Sequence, residues 1–276
     1  MDKLERKNSC GMKRMYLHYL NKHVWLTCLI LGFIITTFPA HADLKNTIKK
    51  IKPSVVGVGS YARNGGRQAR VSGTGFVVGK GNIVATNAHV LPKDYVPNSK
   101  FDLAVFVGHG KTPDVRRAEV IVVDGKHDLA LLKIKGRPVK AMKLSSSNVE
   151  EGEEIAFTGF PLGAVLGLYP VTHRGIVSSI SPIAVPTPKN AASLTSRQIA
   201  ALRNPFDVYQ LDAVAYPGNS GSAVYRIDNG EVVAVINSVL VKKTKESALT
   251  DPTAISYAIP VRYLRQLMMQ NDVPLH

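Results

Sequence analysis

The chain is cut into short β-rich runs, each closed by Gly, Asn, Asp or Lys, and that punctuation leaves no room for long amphipathic helices over most of its length. In the first half, strands are expected at Ser54–Tyr61, Arg70–Val78, Asn82–Thr86, Asp102–Phe106, Arg117–Asp124 and Leu129–Lys133. The turns between them are marked by Asn64-Gly65-Gly66, Gly79-Lys80-Gly81-Asn82, Gly108-His109-Gly110 and Asp124-Gly125. A linker at Leu144–Glu153 separates these from a second set near Glu154–Phe160, Val171–Ser179, Val208–Leu211, Ser222–Tyr225, Glu231–Leu240 and Ile255–Ile259. Two groups of six short strands predict an all-β protein built as two six-stranded antiparallel β-barrels, over 43–143 and 144–276, rather than alternating β-α units.

Helices are expected in few places. Leu44 to Ile51 reads as a short helical lead. Within the long insertion Ser181–Asp207, Thr195 and Gln198 form a capping-box pattern ahead of Ile199, Ala200, Ala201 and Leu202. At the C-terminus, Pro260 suits a helix start and Val261, Leu264, Leu267 and Met268 share one face, a stripe suited to packing on a barrel.

The first 42 residues have the layout of a secretory signal peptide. Lys3, Arg6, Lys7, Lys13, Arg14 and Lys22 precede an apolar run from Val24 to Phe38, and Ala40-His41-Ala42 is the small-x-small pattern of a cleavage site. A run of that length is shorter than the roughly 20 residues a spanning helix needs. Export, to the periplasm or outside the cell, with cleavage near Ala42 is therefore expected. Removing the segment leaves 29 Lys plus Arg against 18 Asp plus Glu, a charge of +11, and takes away both cysteines, Cys10 and Cys28. Without thiols, the remaining chain must rest on an apolar core, and thiolate metal sites are excluded. The remaining histidines, His89, His109, His127, His173 and His276, show no ligand spacing, so no metal and no cofactor is expected. The basic residues are spread out apart from Lys45–Lys52 and Lys242–Lys245, and no nucleic-acid motif accompanies them. That pattern suits a solvated surface with at most weak contact to anionic envelope polymers, and no nucleic-acid partner.

Three strings carry chemistry. Asn82-Ile83-Val84-Ala85-Thr86-Asn87-Ala88-His89-Val90-Leu91, preceded by Gly73-Thr74-Gly75-Phe76, places His89 just past a strand end in a turn of small residues. His127-Asp128-Leu129-Ala130-Leu131-Leu132-Lys133 places an acid at the start of an apolar strand, and Tyr216-Pro217-Gly218-Asn219-Ser220-Gly221-Ser222 places a serine in a glycine-bracketed turn. Singly, each is an ordinary turn former. Together they supply what acyl transfer needs. A serine hydroxyl is a weak nucleophile until an imidazole takes its proton, and the imidazole must be held in one tautomer by a carboxylate. Two backbone N–H groups, those of Gly218 and Ser220, are the candidates for the oxyanion hole, with the turn's unusual dihedrals open to Gly.

These strings resemble those of the trypsin-like, chymotrypsin-fold serine peptidases, and most of all the HtrA/Deg branch: T-N-A-H-V, H-D-L-A-L-L-K and D-x-x-x-x-P-G-N-S-G, with Gly175-Ile176-Val177-Ser178-Ser179 and Tyr257-Ala258-Ile259-Pro260 also in place. The similarity covers roughly Val55 to Leu264. It implies two perpendicular barrels with a cleft between them, His89 as general base, Asp128 as its orienter, Ser220 as nucleophile, and protein or peptide substrates. It also implies a specificity pocket with Val214 at its base and walls from Ala215, Tyr216 and the strand holding Asn237 and Ser238. No acid stands at that base, so small aliphatic P1 residues are expected and basic ones rejected. Asp212, two residues earlier, would face away only where the segment is not strictly extended.

Several positions depart from the family. The chain stops after one helix where HtrA proteins continue into PDZ domains, so PDZ-driven regulation is expected to be absent. Ser222 stands where HtrA proteins usually have Gly. Gly-Asn-Ser-Gly-Ser also occurs in glutamyl endopeptidases, but Val235-Ile236-Asn237-Ser238-Val239 lacks the histidine with which that branch reads an acidic P1 residue. Asn219 in place of a buried aspartate implies that no freshly cut N-terminus is needed for activation. The alternative to an exported serine endopeptidase is a catalytically idle trypsin-like fold that serves as a binding module. The sequence leaves the oligomeric state open.

Overall fold

The computed structural model describes residues 43–62, 69–92, 101–161, 167–183, 205–237 and 255–275. Strands β1 (Val55–Ala62), β2 (Ala69–Val78), β3 (Ile83–Asn87), β4 (Phe101–Val107), β5 (Asp114–Asp124) and β6 (Leu129–Ile134) close one antiparallel barrel in the order β1-β2-β3-β6-β5-β4. Strands β7 (Glu154–Gly159), β8 (Val171–Pro182), β9 (Asp207–Asp212), β10 (Ala223–Arg226), β11 (Val232–Asn237) and β12 (Ile255–Pro260) close a second in the equivalent order, β7-β8-β9-β12-β11-β10. The two six-stranded barrels and the C-terminal helix agree with the fold expected from the sequence.

The apolar runs are continuous because both faces of many strands are buried. Val56, Val58, Val77, Val84, Leu103, Val105 and Leu132 fill the first barrel, while Ile155, Phe157, Val177, Leu211, Val224 and Ile236 fill the second. Their neighbours in sequence, among them Val55, Phe76, Val78, Leu131, Ala223 and Val235, belong to a third cluster that draws on both barrels. Helix α2 (Val261–Gln270) adds Val261, Leu264, Leu267 and Met268 to that cluster, the face its spacing indicated. Helix α1 (Leu44–Ile51) is capped by Asp43 and docks on the second barrel through Thr47 Oγ1, which donates to the Ile227 carbonyl at 2.8 Å.

Some boundaries differ from expectation. Strand β5 begins three residues early, at Asp114, because backbone pairing with β4 (Val107 with Asp114, Ala104 with Arg117) continues under polar side chains that carry no hydrophobic signal. Strand β8 runs on to Pro182 past a bulge between Val177 and Ser179. The segment read as a linker is packed: Leu144 and Val149 are buried, and Arg226 donates to Ser145 Oγ and to the Asn148 carbonyl. The capping-box helix, most of the Ser181–Asp207 insertion, the Lys242–Lys245 cluster and the first 42 residues lie outside the described residues. No helix among the described residues is long and apolar enough to cross a membrane.

Candidate active site

Strand β3 ends at Asn87, and Ala88–Val90 turns through one short 3-10 segment that carries His89. The turn before β6 brings Asp128 beside it. Asp128 is a non-glycine residue with positive φ, 56°, held by its surroundings: its carbonyl accepts from Ala88 N–H and from Asn87 Nδ2, each at 3.0 Å. Its carboxylate is 6% exposed as a residue and is engaged on both oxygens. Oδ1 accepts the His89 backbone N–H at 3.0 Å, and Oδ2 lies 2.5 Å from His89 Nδ1. The ring is thereby fixed with Nδ1 toward the acid and Nε2 on the opposite edge of the ring.

The second barrel adds a third contact to the acid. Asn237, at the end of β11, donates its side-chain amide to Asp128 Oδ2 at 2.9 Å. Sequence reasoning placed Asn237 in the pocket wall and gave no sign of this pairing, which joins residues 109 positions apart.

Ser220 lies in a turn set by two glycines of positive φ, Gly218 at 99° and Gly221 at 86°. Gly221 has no room for a side chain: a Cβ there would meet the Thr74 carbonyl oxygen at 2.0 Å. The turn is tied to its own barrel through Gly221 N–H to the Ile236 carbonyl (3.0 Å) and Ile236 N–H to the Ser222 carbonyl (2.9 Å). It is tied to the other barrel through Thr74 N–H, which donates to the Ser220 carbonyl at 2.9 Å. Gly73 packs between that carbonyl and the side chain of Val90, so the serine segment is seated against the residue next to His89.

The candidate pocket residues Val214, Ala215 and Tyr216 are partly exposed and follow the end of β9. Ser256, buried on β12, fixes this segment by accepting from Ala215 N–H (2.9 Å) and donating to the Ala213 carbonyl (2.6 Å). Nothing in the sequence pattern around Ser256 marks it. Asp212 is the last residue of β9 and is exposed, while Ala213 is buried. Ser238 lies outside the described residues. Behind Tyr216, His173 stacks on Phe157 with centroids 4.8 Å apart, and its burial holds its pKa below the usual histidine value.

A six-stranded barrel repeated with one strand order, feeding a single site from both halves, is the chymotrypsin-like architecture. The family described as trypsin-like peptidase domain matches residues 73–235, more than half of the chain, and the chain belongs to that family. Among curated proteins it is 30% identical over 237 residues to serine protease HTRA1B of Danio rerio, covering 83% of this chain and 41% of that one. It is 29% identical over 245 residues to the serine protease Do-like HtrA of Lactococcus lactis subsp. cremoris, covering 80% and 54%. The chain thus spans about half the length, or less, of these curated relatives. Among solved structures, the active form of the Rv3671c protease from M. tuberculosis shares the fold with a TM-score of 0.59 at 20% identity, over 86% of this chain and 90% of that one.

Proposed function

We propose that the protein is an exported serine endopeptidase that cleaves after small aliphatic residues, with Ser220 as nucleophile, His89 as general base and Asp128 as its orienter. The observation that carries this reading is the two-point hold of Asp128 on His89, at Nδ1 and at the backbone N–H, in a chain of the trypsin-like peptidase family. Ser220 Oγ attacks the scissile carbonyl as its proton passes to His89 Nε2, and the imidazolium is stabilised by Asp128. The oxyanion is held by the N–H groups of Gly218 and Ser220. His89 then gives the proton to the leaving amine, and water repeats the sequence to release the acyl group. Family membership and the HtrA relatives support protein or peptide substrates, and the signal-like leader supports export. Asn219 carries no charge to pair with a new α-amino group, which supports activity without N-terminal processing beyond the leader.

The test is labelling with a fluorophosphonate followed by peptide mapping. The expected result is a single adduct on Ser220. An unlabelled protein that also leaves casein intact would refute the enzyme reading and favour the idle fold. Specificity rests on Val214 at the pocket base and on Asp212 standing exposed at the strand end. A buried, unpaired Lys or Arg costs several kcal/mol, whereas an aliphatic side chain gains roughly 25 cal/mol per Å² buried. Matched peptides with Val, Arg and Glu at P1 should rank Val first in kcat/KM. Arg first would mean that Asp212 reaches the pocket, and Glu first would favour the glutamyl endopeptidase branch.

A further inference from the structure

We propose that Thr74, on β2 of the first barrel, is a positioning residue that holds the oxyanion turn of the second barrel in its working conformation. This role rests on the serine-peptidase reading above. Thr74 is fully buried, and each of its polar groups is used. Its Oγ1 donates to the Gly218 carbonyl at 2.7 Å and accepts from Phe160 N–H at 3.0 Å. Its N–H donates to the Ser220 carbonyl at 2.9 Å, and its carbonyl accepts from Thr86 Oγ1 at 2.7 Å. On that reading, Gly218 and Ser220 are the two residues whose N–H groups hold the developing oxyanion. One residue therefore fixes the peptide groups 218–219 and 220–221, which bracket the planar 219–220 peptide that carries the Ser220 N–H and adjoin the one that carries the Gly218 N–H.

Backbone hydrogen bonds also brace the turn, Asn219 N–H to the Tyr216 carbonyl, Gly221 N–H to the Ile236 carbonyl and Ser222 N–H to the Asn219 carbonyl, each at 3.0 Å, but two of its buried side chains add nothing to them. Asn219, between Gly218 and Ser220, is fully buried, yet neither its Nδ2 nor its Oδ1 has a partner among the described residues, and the same is true of Ser222 Oγ. A buried charge pair at position 219 is not available, because the side chain is an amide. Gly159 packs against this polar cluster: a Cβ there would lie 2.1 Å from Ser222 Oγ, 2.8 Å from Asn219 Oδ1 and 3.0 Å from Thr74 Oγ1. The hydroxyl of Thr74 is thus a side-chain anchor for a turn in which the Asn219 and Ser222 side chains make none among the described residues, and it acts from across the barrel boundary.

The experiment compares wild type, Thr74→Val, Thr74→Ser and, as an inert control, Ser220→Ala. It measures kcat and KM on one peptide, affinity for a peptide boronate that mimics the tetrahedral oxyanion, and Tm. Valine keeps the shape and removes the hydroxyl. The expected result for Thr74→Val is a loss in kcat of about 10- to 100-fold with KM changed by no more than about twofold, the pattern of an interaction felt in the transition state. Boronate affinity should fall by a similar factor, and Thr74→Ser should restore both. Wild-type kcat in Thr74→Val, equal impairment of the serine and valine variants, or unchanged boronate affinity would each overturn the role. Thr74→Ala gives the same readouts where the valine variant does not fold. An active wild type with an indifferent Thr74→Val sinks the positioning role alone, whereas a wild type that neither cleaves nor takes up a phosphonate sinks the peptidase reading with it.

Discussion

The two barrels have the same strand order, yet they build the site in different ways. The first contributes side chains: His89 and Asp128 are held by hydrogen bonds among Asn87, Ala88 and the Asp128 turn, all within that barrel. The second contributes backbone conformation: Gly218 and Gly221 take positive φ so that one turn presents Ser220 and its neighbouring N–H groups. Each barrel is then corrected by a single polar residue of the other, Asn237 reaching Asp128 and Thr74 reaching the Ser220 turn. A side-chain pair tolerates drift in the backbone beneath it, whereas a turn whose peptide groups are themselves the proposed oxyanion donors does not. The second half of the site should therefore be the more brittle.

The largest effects separate chemistry from orientation. Replacing Ser220 by Ala removes the proposed nucleophile, and a loss on the order of 10⁶ in kcat is expected from comparable triads. Asp128→Asn leaves the proposed base and nucleophile in place but favours the wrong imidazole tautomer, for an expected loss on the order of 10⁴. Both proteins should keep wild-type circular dichroism. Equal residual rates for the two variants, measured on one peptide, would mean that the halves of the site do not divide the work as described.

A pair of glycines tests brittleness directly, because they share one backbone angle. Gly108, after β4, and Gly221, after the nucleophile, both have φ of 86°, but a Cβ on Gly108 would meet nothing within 4 Å. At Gly221 the same atom would lie 2.0 Å from the Thr74 carbonyl oxygen and 2.5 Å from Thr86 Oγ1. Gly108→Ala should cost about 1 to 2 kcal/mol, the strain of the left-handed region alone, and keep full activity. Gly221→Ala adds a backbone clash and should cost more than about 4 kcal/mol or prevent folding. Urea unfolding of both variants is the check, and similar midpoints would show that the turn can relax around a methyl group.

What the sequence made legible follows the same division. Continuous apolar runs such as Phe76-Val77-Val78 and Leu129-Ala130-Leu131-Leu132 declared their strands because one face fills a barrel and the other the contact between barrels. His89, Asp128 and Ser220 stood out as candidates because each sits in a turn of unusual composition. The polar start of β5 was hidden, since Asp114, Arg116 and Arg117 extend the ladder by backbone pairing with β4 and by ion pairs, Arg116 with Asp114 and Arg117 with Asp102, rather than by apolar contacts. Asn237, Ser256 and Thr74 were hidden for another reason. Their hydrogen bonds join positions 109, 41 and 144 residues apart, and no local pattern encodes such a partner. Gly73 and Gly75, which bracket Thr74, were the nearest thing to a signal: a Cβ at either would come within 3.0 Å of a neighbour.

The smallest expected effect concerns pH, and it again falls on the second barrel. His173, on β8, stacks on Phe157 and lies 6.0 Å from Tyr216, and its Nε2 is buried without a partner among the described residues. Burial disfavours the imidazolium, so the folded-state pKa lies below the unfolded value of about 6.5. The sign follows from proton counting. Above the unfolded pKa the ring is neutral in both states and costs nothing. As pH falls through about 6.5 the unfolded chain takes up a proton that the folded protein does not, and stability drops until the lower folded pKa is passed. Because the ring is only partly buried, the drop should be modest, a few degrees in Tm between pH 7.5 and 5. His173→Phe fills the same space without a titrating group, so its Tm should vary less over that interval while the carboxylates common to both proteins titrate alike. The wild-type profile minus that of the variant isolates the histidine, and a flat difference would show that the ring finds a partner or solvent when it is protonated.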